Sequence, residues 1–233
     1  MVVGVKSDLI SISAHQLRTS LSALKWILKM FVDKDLGNLT IEQEEFIKKA
    51  FDSNERMIDL VNNLLTLNHA DDTTIAFQFT NVNIIDLIDQ TLFEFSGEGQ
   101  KKEIAAIFVK PATSIPLINC DMSMIRVVLQ NLIENAIKYS SAGDKVIISL
   151  KYNEAVNTID ISVHDKGIGI LGEDQANIFN KFFRAKNAEE KDRIGSGLGL
   201  FTTKQIVERH NGKIWFESNP DNGTTFFVTL PIN

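Results

Sequence analysis

The sequence has one cysteine, few prolines and no long apolar run. Its single cysteine, Cys120, cannot form an internal disulfide or a zinc site built from several thiolates, and its apolar neighbours predict a buried, unreactive thiol. No segment approaches the roughly 18 apolar residues that span a bilayer, and the first residues lack the apolar core of a signal peptide. We therefore expect a cytoplasmic chain with no membrane segment.

Charge and composition narrow the classes of partner. The formal net charge of −6 provides no basic surface for nucleic acid, so any phosphate-binding site must be local. Apolar residues make up 44% of the 233 residues and charged residues 23%, which is ordinary globular usage and enough to bury a core. A chain of this length forms one or two compact units.

The N-terminal part of the chain has helical periodicity. Apolar side chains form the seam of a heptad repeat at Leu17, Leu21, Leu24, Leu28 and Phe31. A polar break ends at Thr40, and Gln43 three residues later completes a capping box for a second helix over 41–68. The pattern predicts an antiparallel helical hairpin. One hairpin cannot cover both of its seams, so we expect two chains to form a four-helix bundle.

The pattern changes after a polar stretch at 71–74, which we interpret as a hinge. Strands are predicted at 75–79, 104–109, 145–152, 158–164, 213–217 and 224–230. Helices are predicted at 83–95, 121–139, 173–180 and 197–209. This order indicates an α+β domain, with a largely antiparallel sheet that helices cover on one face.

Two glycine clusters are the first candidates for a binding site. In Asp165-Lys166-Gly167-Ile168-Gly169, glycine lets the backbone approach a ligand closely, and Asp165 can accept a hydrogen bond from an amine. The second cluster precedes a predicted helix, where free N–H groups can bind phosphate, and it comprises Gly195, Gly197, Leu198 and Gly199. Each cluster alone is also typical of an ordinary surface turn or loop.

Polar sequence separates the two clusters. Residues 185–194 are mostly polar and charged, which is typical of a lid beside a phosphate-binding loop but also of a plain surface loop. The phenylalanines before this segment, Phe179, Phe182 and Phe183, are predicted to anchor it in the core. Arg184 would then be available to an anionic ligand.

The predicted helix 121–139 carries Asn131 and Asn135 one turn apart, followed by Lys138 and Tyr139. Carboxamide oxygens are hard neutral ligands suited to Mg²⁺, and an ammonium group adds positive charge at a phosphate. Amphipathic helices also expose asparagine and lysine to solvent, so this pattern alone leaves both interpretations open.

His15 is the candidate nucleophile. It lies two positions before the seam residue Leu17, hence about 160° around the helix from it, and is expected to be exposed. Imidazole has a pKa of about 6.5 and is mostly neutral at pH 7, so a nitrogen lone pair is available for attack. Thr19 lies one turn further along the same face. Most exposed histidines are ordinary surface residues, and we interpret His69, His164 and His210 as structural.

The order and spacing of these motifs resemble the transmitter core of a bacterial sensor histidine kinase over nearly the whole chain. The segment from His15 to Thr19 is similar to the phosphoacceptor box of that family, and the segment from Asn131 to Tyr139 to its asparagine box. The two glycine boxes of the family are similar to residues 165–169 and 195–199. Its phenylalanine-rich box is similar to 179–184, and its closing motif to 223–226.

The resemblance implies a two-domain fold and an activity. Residues 1–70 would form the dimerisation and histidine-phosphotransfer hairpin, 71–82 a hinge and first strand, and 83–233 an α/β-sandwich ATP-binding domain of the gyrase type. ATP would phosphorylate His15 in the presence of Mg²⁺, and the phosphoryl group would pass to an aspartate of a response regulator receiver domain. The chain would be the cytoplasmic portion of a longer sensor, whose upstream part can be membrane-bound.

The resemblance also implies roles for individual residues. Asp165 would accept the adenine amine, Asn135 would bind Mg²⁺ with Asn131 close by, and Thr225 would line the adenine pocket. The residues expected around the nucleotide are Gly167, Gly169, Lys138, Tyr139, Arg184, Gly195, Gly197, Leu198 and Gly199. Thr19 matches the position that orients water in members that dephosphorylate their regulators.

The sequence departs from the family pattern at two positions. Gln16 stands where Glu or Asp usually follows the histidine, and a carboxamide cannot act as a carboxylate base, so autophosphorylation is expected to be slow or to release its proton to water. Ser20 stands where proline is common and would bend the helix, so we expect a straighter helix here.

Two other functions are consistent with parts of the sequence. A gyrase-type ATPase would need a carboxylate one turn before the magnesium asparagine to activate water, but that position is Asn131. A dimeric scaffold that binds nucleotide without transferring phosphate is favoured only by Gln16, and the intact nucleotide motifs oppose it.

Overall fold

The computed structural model describes residues 2–71, 77–111, 113–192, 195–220 and 222–232. The chain forms two compact units, one of Met1–Ile75 with Asp192–Leu198 and one of Ala76–Lys191 with Gly199–Asn233. The first is a helical hairpin and the second combines sheet and helices, so the predicted α+β class is confirmed. Within the described ranges, no helix has the length and apolar character needed to cross a bilayer.

The helices are α1 (Val2–Val32), α2 (Ile41–Asp71), α3 (Ile84–Lys101), α4 (Met122–Tyr139), α5 (Lys186–Lys191) and α6 (Gly199–Arg209). The strands are β1 (Phe79–Val82), β2 (Ala105–Val109), β3 (Ile118–Asp121), β4 (Lys145–Asn153), β5 (Thr158–His164), β6 (Lys213–Asn219) and β7 (Gly223–Pro231).

The capping box predicted between the two hairpin helices is present. Thr40 N–H donates to Gln43 Oε1 at 2.9 Å, and Gln43 N–H donates to Thr40 Oγ1 at 3.2 Å, which satisfies two amides that helix geometry leaves without a partner. Further along the hairpin, Asn54 is buried and its Nδ2 donates to the Leu21 carbonyl at 3.0 Å. This bond links α2 to α1 through the backbone of α1.

The second unit is built on a five-stranded sheet in the order β2-β4-β5-β7-β6, in which only the β2–β4 pair is parallel. A separate antiparallel pair joins β1 to β3. Side chains on β4 and β5 alternate between buried and less buried positions, as expected for a sheet with one covered face. The buried face packs with the apolar residues of α3, α4 and α6 into one core.

Several elements differ from the sequence prediction. Strand β3 was not predicted, and the strand predicted at 75–79 begins at Phe79, with residues 75 and 76 lying outside the described ranges. The predicted helix 173–180 is only a 3₁₀ turn at Gln175–Asn177, because its backbone bonds close turns of three residues. The polar segment predicted as a lid contains the short helix α5.

A hydrogen-bonded junction at Asp121 fixes where α4 begins. The Asp121 carboxylate caps α4 by accepting from the N–H groups of Ser123 and Met124, and its other oxygen accepts from Gln78 N–H at 2.9 Å. Burial raises the pKa of Asp121, but these hydrogen bonds and that from the Ser123 hydroxyl bring it below its usual value. Next to it, Cys120 is buried and burial raises its pKa to about 12, as expected for an unreactive thiol.

His210 completes this junction as a neutral, structural side chain. Its Nε2 accepts from Asp121 N–H at 3.1 Å, so the proton belongs on Nδ1, which lies 2.8 Å from the Ile206 carbonyl. Burial lowers the pKa of His210, because the charged imidazolium would lose its hydration. The structural role predicted for His210 agrees with these contacts.

We predict that His210 makes the stability of the sheet-containing unit depend on pH. The unfolded chain binds a proton at His210 near pH 6.5 and the folded chain only at lower pH, so stability is lost as pH falls below about 6.5, by at most about 1.4 kcal/mol per pH unit. Thermal unfolding followed by calorimetry at about pH 7.5 and 5.5 should show a smaller decrease for His210→Gln than for the parent. Equal decreases would contradict the prediction.

Candidate active site

Asp165 is a buried carboxylate at the end of β5. Its Oδ1 accepts from Gly167 N–H at 2.8 Å and from Thr224 N–H at 3.2 Å. Burial raises the pKa of Asp165, and the two backbone bonds together with nearby positive charge oppose that shift. Within the described residues Oδ2 makes no hydrogen bond, so one oxygen is held by the backbone and the other is available to a donor such as an exocyclic amine.

Glycine is required around this carboxylate because the backbone approaches closely. A Cβ at Gly167 would lie 2.4 Å from the Tyr139 carbonyl oxygen, and a Cβ at Gly223 would lie 2.0 Å from that of Asp165. Gly169 has a φ of +63°, and a Cβ added there would meet the backbone of Asn219. The first glycine cluster is therefore a tightly packed element rather than a loose surface turn.

The structure brings Thr224, and not Thr225, into contact with Asp165. Side chains alternate along β7, so Thr224 is buried on the helix-covered face, where its N–H contacts Asp165, while Thr225 lies on the other face. There, Thr225 Oγ1 lies 2.9 Å from Nδ1 of His164. The sequence already indicated that Thr224 and Thr225 lie on opposite faces of the sheet, because side chains alternate between the two faces along the predicted strand 224–230.

Helix α4 carries the asparagine motif, and its last residue, Tyr139, contacts the first glycine cluster. Asn131 Nδ2 donates to the Gly199 carbonyl at 3.3 Å and to Thr203 Oγ1 at 3.2 Å, which connects α4 to the first turn of α6. Asn135 is half-buried and makes no hydrogen bond within the described residues, which leaves its carboxamide oxygen to a hard cation. Near the end of α4, the Lys138 ammonium lies 5.8 Å from the centre of the Tyr139 ring.

The phenylalanine-rich segment is only partly anchored in the core. Phe179 and Phe183 pack against the core, and the Phe179 ring lies edge-on to Phe216 at 6.0 Å. Phe182 instead is 63% exposed and has a φ of +63°, so its predicted anchoring role is wrong. Arg184 is half-buried, and its Nη2 donates to the Ala188 carbonyl of α5 at 3.4 Å.

The second glycine cluster leads directly into α6, which begins at Gly199. Gly197 has a φ of +67°, a conformation that favours glycine, and Leu198 N–H donates to Ser196 Oγ at 3.3 Å. Gly195 and Gly197 are partly exposed, and Leu198 is buried.

The phosphoacceptor motif lies on α1, in the other unit. His15 is part of the helix, and its side chain lies outside the described part of the chain. Gln16 and Thr19 are exposed, and so is the seam residue Leu17 between them. Ser20 Oγ donates to the Gln16 carbonyl at 3.1 Å, and α1 continues through this position without interruption.

Both parts of the chain match known protein families. Residues 120–233 match the family described as histidine kinase-, DNA gyrase B- and HSP90-like ATPase. Residues 5–73 match the His Kinase A (phospho-acceptor) domain. The chain belongs to the histidine kinase family. The two matched domains follow each other along the chain in the order of a transmitter core.

Individual relatives agree with this assignment. The chain is 34% identical to sensor histidine kinase WalK of Bacillus subtilis (strain 168) over 94% of its own length, and it spans 35% of WalK. The catalytic domain of histidine kinase ThkA aligns with a TM-score of 0.58 at 30% identity, over 66% of this chain and 96% of that chain. Full-length ShkA in complex with AMPPNP shares the fold, with a TM-score of 0.72 at 23% identity, over 96% and 45% of the two chains.

We predict that Gly167→Ala disrupts the packing around Asp165. Because the new methyl group would overlap the Tyr139 carbonyl oxygen, the substitution should destabilise the unit by about 1–3 kcal/mol and weaken ATP binding about tenfold. Gly172→Ala is the matched control, since no atom lies within 4 Å of its added Cβ. Calorimetric unfolding and nucleotide titration measure both effects, and equal behaviour of the two variants would exclude the close-approach explanation.

Proposed function

We propose that this chain binds ATP with Mg²⁺, transfers the γ-phosphoryl group to His15 and passes it to an aspartate of a response regulator receiver domain. The observation that carries the proposal is the buried Asp165, which has one oxygen fixed by two backbone amides and the other available to the adenine amine. Membership of the histidine kinase family supports the phosphoryl transfer that follows binding.

In the proposed site, different residues would bind adenine, the phosphates and Mg²⁺. Asp165 and Thr224 would recognise adenine, while Lys138, Tyr139 and Arg184 would contact the phosphates. The glycines of 195–199 would allow the backbone to approach those phosphates. Asn135 would hold Mg²⁺ with Asn131 close by, and when bound the ion neutralises charge on the phosphates.

The transfer step requires little covalent chemistry from the protein. An unprotonated nitrogen of the His15 ring would attack the γ-phosphorus, the bond to the β–γ bridging oxygen would break, and ADP would leave. The proton on the other ring nitrogen would pass to water, because the Gln16 carboxamide cannot accept it. Positioning and charge stabilisation therefore account for most of the expected rate increase.

Exposed apolar residues on the hairpin support a homodimer. Leu17 is 53% exposed, Leu24 41% and Ile27 46%, whereas Leu28 and Val61 are buried. Apolar residues recurring on a pair of amphipathic helices require a second surface to cover them. We infer that a second copy of the hairpin provides this surface and completes a four-helix bundle.

We predict that the dimer incorporates label from γ-labelled ATP with Mg²⁺, and that His15→Ala abolishes this incorporation. The bound label should be acid-labile and alkali-stable, as a phosphoramidate is. Loss of label in the variant with retained nucleotide binding would identify His15 as the acceptor. Unchanged labelling of His15→Ala would contradict the proposal.

The labelling assay also tests the effect of Gln16, which stands where the family usually has Glu or Asp. A Gln16→Glu variant restores a carboxylate beside His15 and should incorporate label about tenfold faster, since general base catalysis contributes at least that much. No gain in rate would show that water accepts the proton equally well.

We predict a second activity, dephosphorylation of the regulator, that depends on Thr19. Thr19 is exposed on α1, and its hydroxyl group can orient a water molecule toward a phosphoryl group. Thr19→Ala should slow removal of phosphate from the phosphorylated regulator about tenfold while His15 labelling is retained, because one positioned hydrogen bond is lost. Dephosphorylation at the parental rate would argue against this role.

A further inference from the structure

Helix α5 is attached to two neighbouring segments through side chains on two of its turns. Asn187 Nδ2 donates to the carbonyl oxygens of Gly169 at 3.0 Å and Ile168 at 3.4 Å. Lys191 Nζ donates to the carbonyl oxygens of Tyr139 at 2.6 Å and Ser140 at 3.0 Å. The lid segment is therefore connected both to the first glycine cluster and to the end of α4.

The end of α4 is well suited to an ammonium group. The last carbonyl groups of a helix have no intrahelical partner and carry the negative end of the helix dipole. The Tyr139 carbonyl oxygen also accepts from Ile168 N–H at 3.3 Å, so α4, α5 and the glycine cluster meet at one atom. The charge of Lys191 also reaches Asp165, where it opposes the effect of burial on the carboxyl pKa.

We propose that Lys191 is a positioning residue for the nucleotide, which holds α5 against the end of α4 and so preorganises the adenine side of the pocket. This inference rests on the proposed function, because it takes Asp165 as the adenine-binding group. Lys191 acts through the Tyr139 and Ser140 carbonyls and not through the nucleotide itself. Without it, ordering α5 on binding would cost conformational entropy.

A positioning role for Lys191 and a direct phosphate contact predict different effects on the affinities for ATP and ADP. Preorganisation of the adenine side affects every adenine nucleotide equally, so ATP and ADP should lose the same fraction of their affinity. A side chain that contacts the γ-phosphate would affect ATP more strongly than ADP. The ratio of the two losses therefore distinguishes a positioning role for Lys191 from direct binding.

The experiment measures dissociation constants for ATP and for ADP, with Mg²⁺, on the full chain. Lys191→Met removes both hydrogen bonds and should weaken ATP and ADP alike, by about fivefold, the effect of partly exposed charged hydrogen bonds. Lys191→Arg retains a donor and should restore most of the affinity. Lys186→Met is the matched control, since Lys186 is an exposed lysine on the same helix that pairs with Glu173.

Each other outcome overturns the proposal in a different way. A larger loss for ATP than for ADP would make Lys191 a phosphate contact, and no loss would make it an ordinary surface residue. An equal loss in Lys186→Met would show that any lysine on α5 acts alike through its charge. If the parent chain binds neither nucleotide, the proposed function itself fails, and this result is distinguishable because no variant is needed to obtain it.

Discussion

The burial of the Asp165 carboxylate constrains the whole nucleotide-binding unit. Removing a charged group from water costs several kcal/mol unless hydrogen bonds replace the lost hydration, and here two backbone amides supply them. Those amides belong to Gly167 and Thr224, so the loop after β5 and the start of β7 must both approach one carboxylate. The glycines at 167 and 223 follow from that approach, because a side chain at either position would overlap a backbone carbonyl group.

Helix α4 is held at both ends by contacts that are distant in sequence. At its start, the Asp121 cap is tied to Gln78 and to His210, and at its end the Tyr139 carbonyl accepts from Ile168 and Lys191. A helix fixed at two ends presents its side chains at defined positions, which is a condition for preorganised binding. The asparagine motif therefore depends on residues that are not part of it.

Features that depend on residues close together in the chain could be predicted from the sequence. Features that depend on residues far apart in the chain could not. The cap predicted at Thr40 was correct because a cap depends on residues within one helical turn. Strand β3 has four residues and pairs with β1, about 40 residues earlier, so its own sequence carries little periodicity. The contacts of Lys191 have no sequence signal at all, since its partners are main-chain atoms whose identity the sequence does not record.

The identity of Asn131 favours the proposed transfer to the protein over hydrolysis by water. A gyrase-type ATPase needs a carboxylate there to remove a proton from the attacking water, and a carboxamide cannot do so. In this chain, the amide nitrogen of Asn131 is already bound to the Gly199 carbonyl and to Thr203 Oγ1, which directs the side chain to α6. The residue thus connects α4 to the beginning of α6, and in the proposed site its carboxamide would not act as a general base for water. Both properties favour a nucleophile supplied from elsewhere in the protein, as His15 would be.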